Sequence, residues 1–181
     1  MMLSRSPAPA RLQQGTDAMI EAQLAFHDLA EAARRSPGAK LVTISTIDVD
    51  QDQMIRVYST DPESYPVGGR GEPLREGDDD PWYDRVVMQQ RPWVSFDVDH
   101  LRAHFADHEL IESLGCGAII NVPVVQDGVT IGSINLLDAD GSYDQSSVDA
   151  ALALGARIVP VLASLHSPVT PPAFSARRAE L

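Results

Sequence analysis

The chain has 181 residues, of which 44% are apolar and 22% charged, and it carries a formal net charge of −12. That balance suits one globular domain with tails and excludes a disordered acidic polymer. The charge argues against nucleic acid as a partner, since a phosphate backbone would be repelled and the only clustered cations are Arg34 with Arg35 and Arg177 with Arg178.

Cys116 is the single cysteine, so no internal disulfide can form. Residues 1–14 lack the apolar run of a secretory signal. The longest apolar runs, near Ala118 to Val125 and Ile158 to Leu162, fall short of the roughly 20 residues that cross a bilayer. A cytoplasmic protein with no membrane partner is the expectation, with loose tails over residues 1–15 and 167–181 and one domain over 16–166.

In chain order, Thr16 is placed to cap a helix from Asp17 to Arg35, whose Met19, Ala22, Phe26, Leu29 and Ala33 recur at the helical period. Pro37 and Gly38 end it. Leu41 to Ile47 and Met54 to Ser59 alternate β-branched or aromatic residues with polar ones around the acidic turn Asp48 to Asp52, which predicts an antiparallel hairpin. The stretch from Thr60 to Asp80, dense in proline and glycine, predicts a long loop with no regular element.

Asp80 before Pro81 signals a helix start, and the helix is expected to reach about Gln90. Pro92 to Asp97 reads as a short strand, and Asp99 to Leu114 as one or two short helices ending at Gly115. Gly117 to Val125 and Val129 to Leu137 flank an Asp127-Gly128 step, which supplies the positive φ of a tight hairpin. Asp144 or Ser146 caps a last helix reaching about Ser164, with Val148, Leu152, Ile158 and Leu162 facing inward and Pro160 expected to kink it. The order predicts an α+β domain, a central antiparallel sheet between helix layers.

The stretch Leu114 to Leu154 resembles the C-terminal half of GAF domains, with Val122-Pro123, Ile131-Gly132, Asn135, Leu136 and Tyr143 at the positions of that pattern. The element order from Asp17 to Ser164 is similar as well. The resemblance implies a GAF/PAS-like sheet with helices on both faces and a small-molecule pocket between one sheet face and its cover. Position by position it implies a lining of Thr43, Tyr58, Ser59, Pro81, Trp82, Phe105, Glu109, Glu112, Cys116 and Asn135; the residues themselves give no expectation of a catalytic group or a metal. The ligand and any cofactor stay unidentified: the Asn-Lys-Phe-Asp-Glu signature of many nucleotide-binding members is not recognisable, and Cys116 has no bilin-type setting.

Each candidate also has a plainer explanation. Tyr58, Tyr65, Trp82, Trp93 and Phe96 suit either a pocket or an ordinary core. Asn121 and Asn135 sit in apolar strands and need partners if buried. A two-residue turn at Asp127 and Gly128 would set them on opposite faces, a three-residue turn with a bulge on one face. Cys116 reads as a small buried residue, with no cationic neighbour in sequence to activate it. His100, His104 and His108 would align on one continuous helix, but Asp107 reads as a fresh cap that breaks the stripe.

Three functions are compatible with these residues: a ligand sensor acting in trans as a homodimer through its first and last helices, an enzyme like the free methionine-R-sulfoxide reductases that share the fold, or a pocketless interaction module. The reductase chemistry needs a second thiol to resolve a sulfenic acid, and there is one cysteine.

Overall fold

The computed structural model describes residues 10–68, 72–75, 77 and 79–165. The rest of the two expected tails, and Glu76 and Asp78 of the long loop, lie outside the described residues.

Helix α1 spans Ala10–Arg35. It begins before Thr16, which is therefore an interior residue and not the expected cap. Ala22, Phe26, Leu29, Ala30 and Ala33 are buried along one stripe, whereas Met19 is 46% exposed. Strands β1 (Leu41–Asp48) and β2 (Gln53–Ser59) form the expected hairpin. The long loop after β2 holds a two-residue strand β3, Glu72–Pro73, paired with Gln53 and Met54. Proline is tolerated there because β3 is an edge strand with no inner ladder to feed.

Asp80 does cap the next element, its carboxylate accepting from the Tyr83 amide at 2.9 Å. That element is a π-helix, Tyr83–Met88, a wider coil that a side-chain pattern of this length does not distinguish from an α-helix. Strand β4 (Trp93–Ser95) leads into α2 (Val98–His104) and α3 (His108–Ser113). Asp97 caps α2 through the His100 amide. Strands β5 (Ala118–Gln126) and β6 (Val129–Asp138) precede α4 (Gln145–Leu165), which is capped by Asp144 and continues through Pro160.

The sheet is antiparallel in the order β3-β2-β1-β6-β5-β4. Successive strand residues point to opposite faces, and the two faces differ in chemistry. One carries Val42, Ile44, Ile120, Val122, Ile134 and Leu136 and is covered by α1 and α4. Fully burying side chains of this kind contributes about 1.5 to 3 kcal/mol each.

Helix α4 faces inward through Val148, Ala151, Leu154, Gly155, Ile158 and Leu162. Leu152, expected inside, is 39% exposed, because the buried row advances from 148 to 151 and 155. This is the one described helix long and apolar enough to cross a membrane, and its apolar stripe is packed on the sheet. Gly132 and Gly155 make that packing close. A methyl on Gly132 would stand 2.5 Å from the Ser45 carbonyl oxygen, and one on Gly155 2.7 Å from Val122 Cγ1.

Candidate functional site

The second face of the sheet holds a polar row within an apolar frame. Trp93 of β4 pairs with Asn121 of β5, Asn121 with Asn135 of β6, Asn135 with Thr43 of β1, and Thr43 with Ser59 of β2. These five residues cross the sheet at one level. A two-residue turn does form, with Asp127 at φ 50° and Gly128 at φ 78°. A bulge then restores the alignment: Val125 pairs with Thr130 but Val124 with Gly132, so Ile131 is the extra residue. Thus both asparagines share a face, with the bulge in β6 and not in the turn, one residue from the irregularity that Pro123 predicts.

The row is wired by hydrogen bonds whose direction is fixed at one end. Trp82, on the cover, donates its indole N–H to Asn121 Oδ1 at 3.1 Å. An indole nitrogen only donates, so Asn121 must turn its oxygen to Trp82 and its amide nitrogen to Asn135. Asn121 Nδ2 donates to Asn135 Oδ1 at 2.6 Å, and Asn135 Nδ2 donates to Thr43 Oγ1 at 3.0 Å. The Thr43 hydroxyl hydrogen has no acceptor among the described residues. Thr43 and Asn121 are buried and Asn135 is half-buried. Two residues along β6 from Asn135, Ser133 Oγ is fully buried and makes no hydrogen bond.

An apolar frame surrounds the row. Leu41, Ile119, Leu137, Cys116, Val86, Leu101 and Ile111 form its buried part, with Tyr65, Trp82, Phe105 and Leu114 packed against it. Phe105 meets Trp93 edge to face at 6.3 Å between ring centroids. Tyr65 ties the long loop to the start of α3, donating its hydroxyl to Asp107 Oδ2 at 2.8 Å beneath the Arg56 guanidinium, 5.1 Å from the ring centre. Burial, and then the bond to Asp107, push the Tyr65 hydroxyl well above the ordinary phenol range. Burial likewise raises the Cys116 thiol, against a smaller opposing pull from Lys40.

The structure therefore brings together Thr43, Ser59, Trp82, Phe105, Cys116, Asn121 and Asn135 on one side of the sheet. Pro81 is exposed, at the turn that delivers Trp82. Tyr58 does not join them. It pairs with Ile44 and packs on the α1 side, 6.0 Å from Phe26 by ring centroids, because neighbours on a strand point to opposite faces and the bulge in β2 gives Ser59 the inner one. Glu109 is exposed on α3. Glu112 holds Arg102 through both carboxylate oxygens, at 2.8 and 2.6 Å, and that ion pair lowers its pKa.

Tyr65, Trp93 and Ser133 belong to this side as well and were missing from the implied lining. The period-two pattern of Ser133 and Asn135 is the one signal in the sequence that marks Ser133. The histidine stripe is broken at Phe105 to Asp107: His100 and His104 stack at 4.3 Å beside Trp93, while His108 opens α3 and faces Glu112. Among the described residues no group of three or more His, Cys, Asp or Glu converges to hold a metal.

The GAF domain family model matches residues 25–163, which takes in the sheet, its cover, the second part of α1 and nearly all of α4. The chain belongs to the GAF domain family. Solved structures similar to this GAF domain agree on the fold. They include the GAF domain of a two-component sensor histidine kinase from Bacillus halodurans (TM-score 0.61, 6% identity, 78% of this chain and 92% of that one). A GAF domain/HD domain protein from Geobacter sulfurreducens gives a TM-score of 0.61 at 11% identity over 80% and 93%. The type II free methionine-R-sulfoxide reductase from Thermoplasma acidophilum gives 0.59 at 13% over 81% and 96%. No curated protein matches the chain in sequence. At these identities the likeness shows the fold alone, so this chain's polar row is read on its own chemistry.

Proposed function

We propose that this GAF domain is a sensory or regulatory module that holds a small molecule against the row Trp82, Asn121, Asn135 and Thr43. The observation that carries the reading is the directed chain of hydrogen bonds, which runs from a donor-only indole to a hydroxyl with its hydrogen uncommitted. Such a row leaves donors uncommitted among the described residues: the Thr43 hydroxyl and the second hydrogens of the two asparagine amides. It suits a neutral or weakly polar ligand that presents acceptors, such as carbonyl oxygens or ring nitrogens, and an apolar body to Phe105 and Trp82. The unbonded Ser133 hydroxyl supports the same reading, since leaving a buried polar group unsatisfied costs about 1 to 3 kcal/mol.

Strands β1, β5 and β6 carry the signal in this reading. Their polar row and the apolar residues gripping α1 and α4 alternate along the same backbones, so a change in strand position at Asn121 or Asn135 reaches Val122, Ile134 and the helices directly. The outer side of α1 exposes Ile20 and Leu24, at 54% and 62%. We take these, with the outer side of α4, as the contact of a homodimer through which occupancy is passed on. A thermal-shift screen with neutral metabolites tests the binding. A ligand at 100 times its dissociation constant stabilises by about 2.7 kcal/mol, and the shift should vanish in Asn135→Leu. No shift with any class of compound favours a pocketless interaction module.

The reductase reading is weaker. It needs an attacking thiolate and a second thiol to release the resulting sulfenic acid, whereas Cys116 is the sole cysteine and its burial favours the thiol form.

A further inference from the structure

A second concavity lies at the edge of the sheet, at the Trp93 end of the row. Strand β4 is terminal, with β5 on one side and, among the described residues, no strand beyond it. Between this edge and the first half of α4 runs a groove of about 520 Å3, within the range of small-ligand sites, about 300 to 1,000 Å3. Trp93, Phe96, Val148 and Leu152 supply apolar surface, Arg85 and Arg91 supply positive charge, and His100 and Gln145 add polar groups.

The two arginines are unusual in a chain of net charge −12. Neither has a carboxylate partner among the described residues. Arg85 is nonetheless fixed: its Nε donates to the Pro92 carbonyl at 2.7 Å, which leaves the terminal guanidinium nitrogens uncommitted among the described residues. A guanidinium held by its Nε with its fork free is pre-organised for an anionic oxygen pair. Phe96 and Leu152 remain 42% and 39% exposed beside it. Charge and apolar surface together call for an amphipathic anion.

We propose that this groove binds a small organic carboxylate, its head group held by Arg85 and Arg91 and its apolar body laid against Trp93, Phe96, Val148 and Leu152. A peptide adding a strand to β4 fits the edge less well. The strand has three residues, and the carbonyls on either side of it are already used, Pro92 by Arg85 and Phe96 by the Gly141 amide at 3.1 Å. Little main-chain pairing is left for a peptide to gain.

Titration of the full chain with phenylbutyrate, followed by proton–nitrogen correlation spectra, tests this. The backbone amides of Val94, Phe96, Val148 and Leu152 should shift, while those of Thr43 and Asn135 stay in place. The exposed Arg91→Gln should weaken binding about tenfold, and phenylbutanol, which lacks the charge, should bind at least about tenfold more weakly than the acid. Arg85→Gln combined with Arg91→Gln should abolish binding in a protein whose spectrum is otherwise that of the parent. Absence of shifts at millimolar phenylbutyrate, equal binding of the alcohol, or shifts centred on Thr43 and Asn135 would each overturn the proposal. Tighter binding of an oligoglutamate peptide than of phenylbutyrate would also overturn it, in favour of a peptide site.

Discussion

Asn121 and Asn135 stand directly opposite one another on β5 and β6, and the amide of the first donates to the carbonyl of the second at 2.6 Å. Neither asparagine is satisfied alone: the pair depends on Trp82 at one end and Thr43 at the other. A buried network of this kind stabilises only when every member has its partner.

Trp82→Phe removes the donor that orients the row and leaves Asn121 Oδ1 without its partner. We expect a loss of about 1 to 3 kcal/mol in stability, read as a lower urea midpoint with an unchanged slope. The side-chain amide resonances of both asparagines should move in the same variant, since the orientation of each is set from the indole.

Gly132→Ala should be the more damaging of two glycine substitutions. Its methyl would press on the Ser45 backbone oxygen and on Leu162, and backbone cannot step aside, so a loss of about 2 to 3 kcal/mol is expected. At Gly155 the obstacle is the end of the Val122 side chain, and alanine also favours the helix by up to about 1 kcal/mol. Denaturation midpoints should fall in the order parent, Gly155→Ala, Gly132→Ala.

Acid should weaken the start of α4. Hydrogen bonds from Ser146 and Ser147 hold the Asp144 carboxyl below its ordinary pKa of 3.8. A carboxyl depressed in the fold contributes stability that is complete above its unfolded value and is lost as pH falls through the lower folded value. Melting temperature should therefore hold down to about pH 4 and fall below it. Asp144→Ser, a neutral cap, should show less of that fall.

Leu24→Glu tests the helix contact. It places charge on an exposed apolar position of α1, so the parent should sediment as a dimer and the variant as a monomer, and only the parent's melting temperature should rise with protein concentration. A parent that sediments as a monomer at every concentration contradicts the proposed contact.

Much of the fold was legible because it rests on periodicity and turn chemistry. The α1 stripe from Ala22 to Ala33, the Asp127-Gly128 turn and the Asp80 and Asp144 caps all announce themselves locally. What escaped is non-local or turns on a single residue. Tyr58 and Ser59 were both implied as lining, although adjacent strand residues cannot share a face without a bulge between them. The bulge at Ile131, which aligns Asn121 with Asn135, leaves no signature beyond the neighbouring Pro123 and Gly132. Glu112 looks available in sequence but is taken by Arg102, ten positions earlier and on another helix. The resemblance implies Trp82 as lining, whereas its bond to Asn121 joins residues 39 positions apart, which no local pattern specifies.

The most direct measurement is the pair of side-chain amide signals of Asn121 and Asn135, monitored while the compound giving the largest thermal shift is titrated in. Both pairs should move with the same dissociation constant, and Thr43→Val should weaken that constant by about tenfold, the loss of one buried hydrogen bond. Binding that leaves both amides where they were, or that Thr43→Val does not change, contradicts a ligand held on this row.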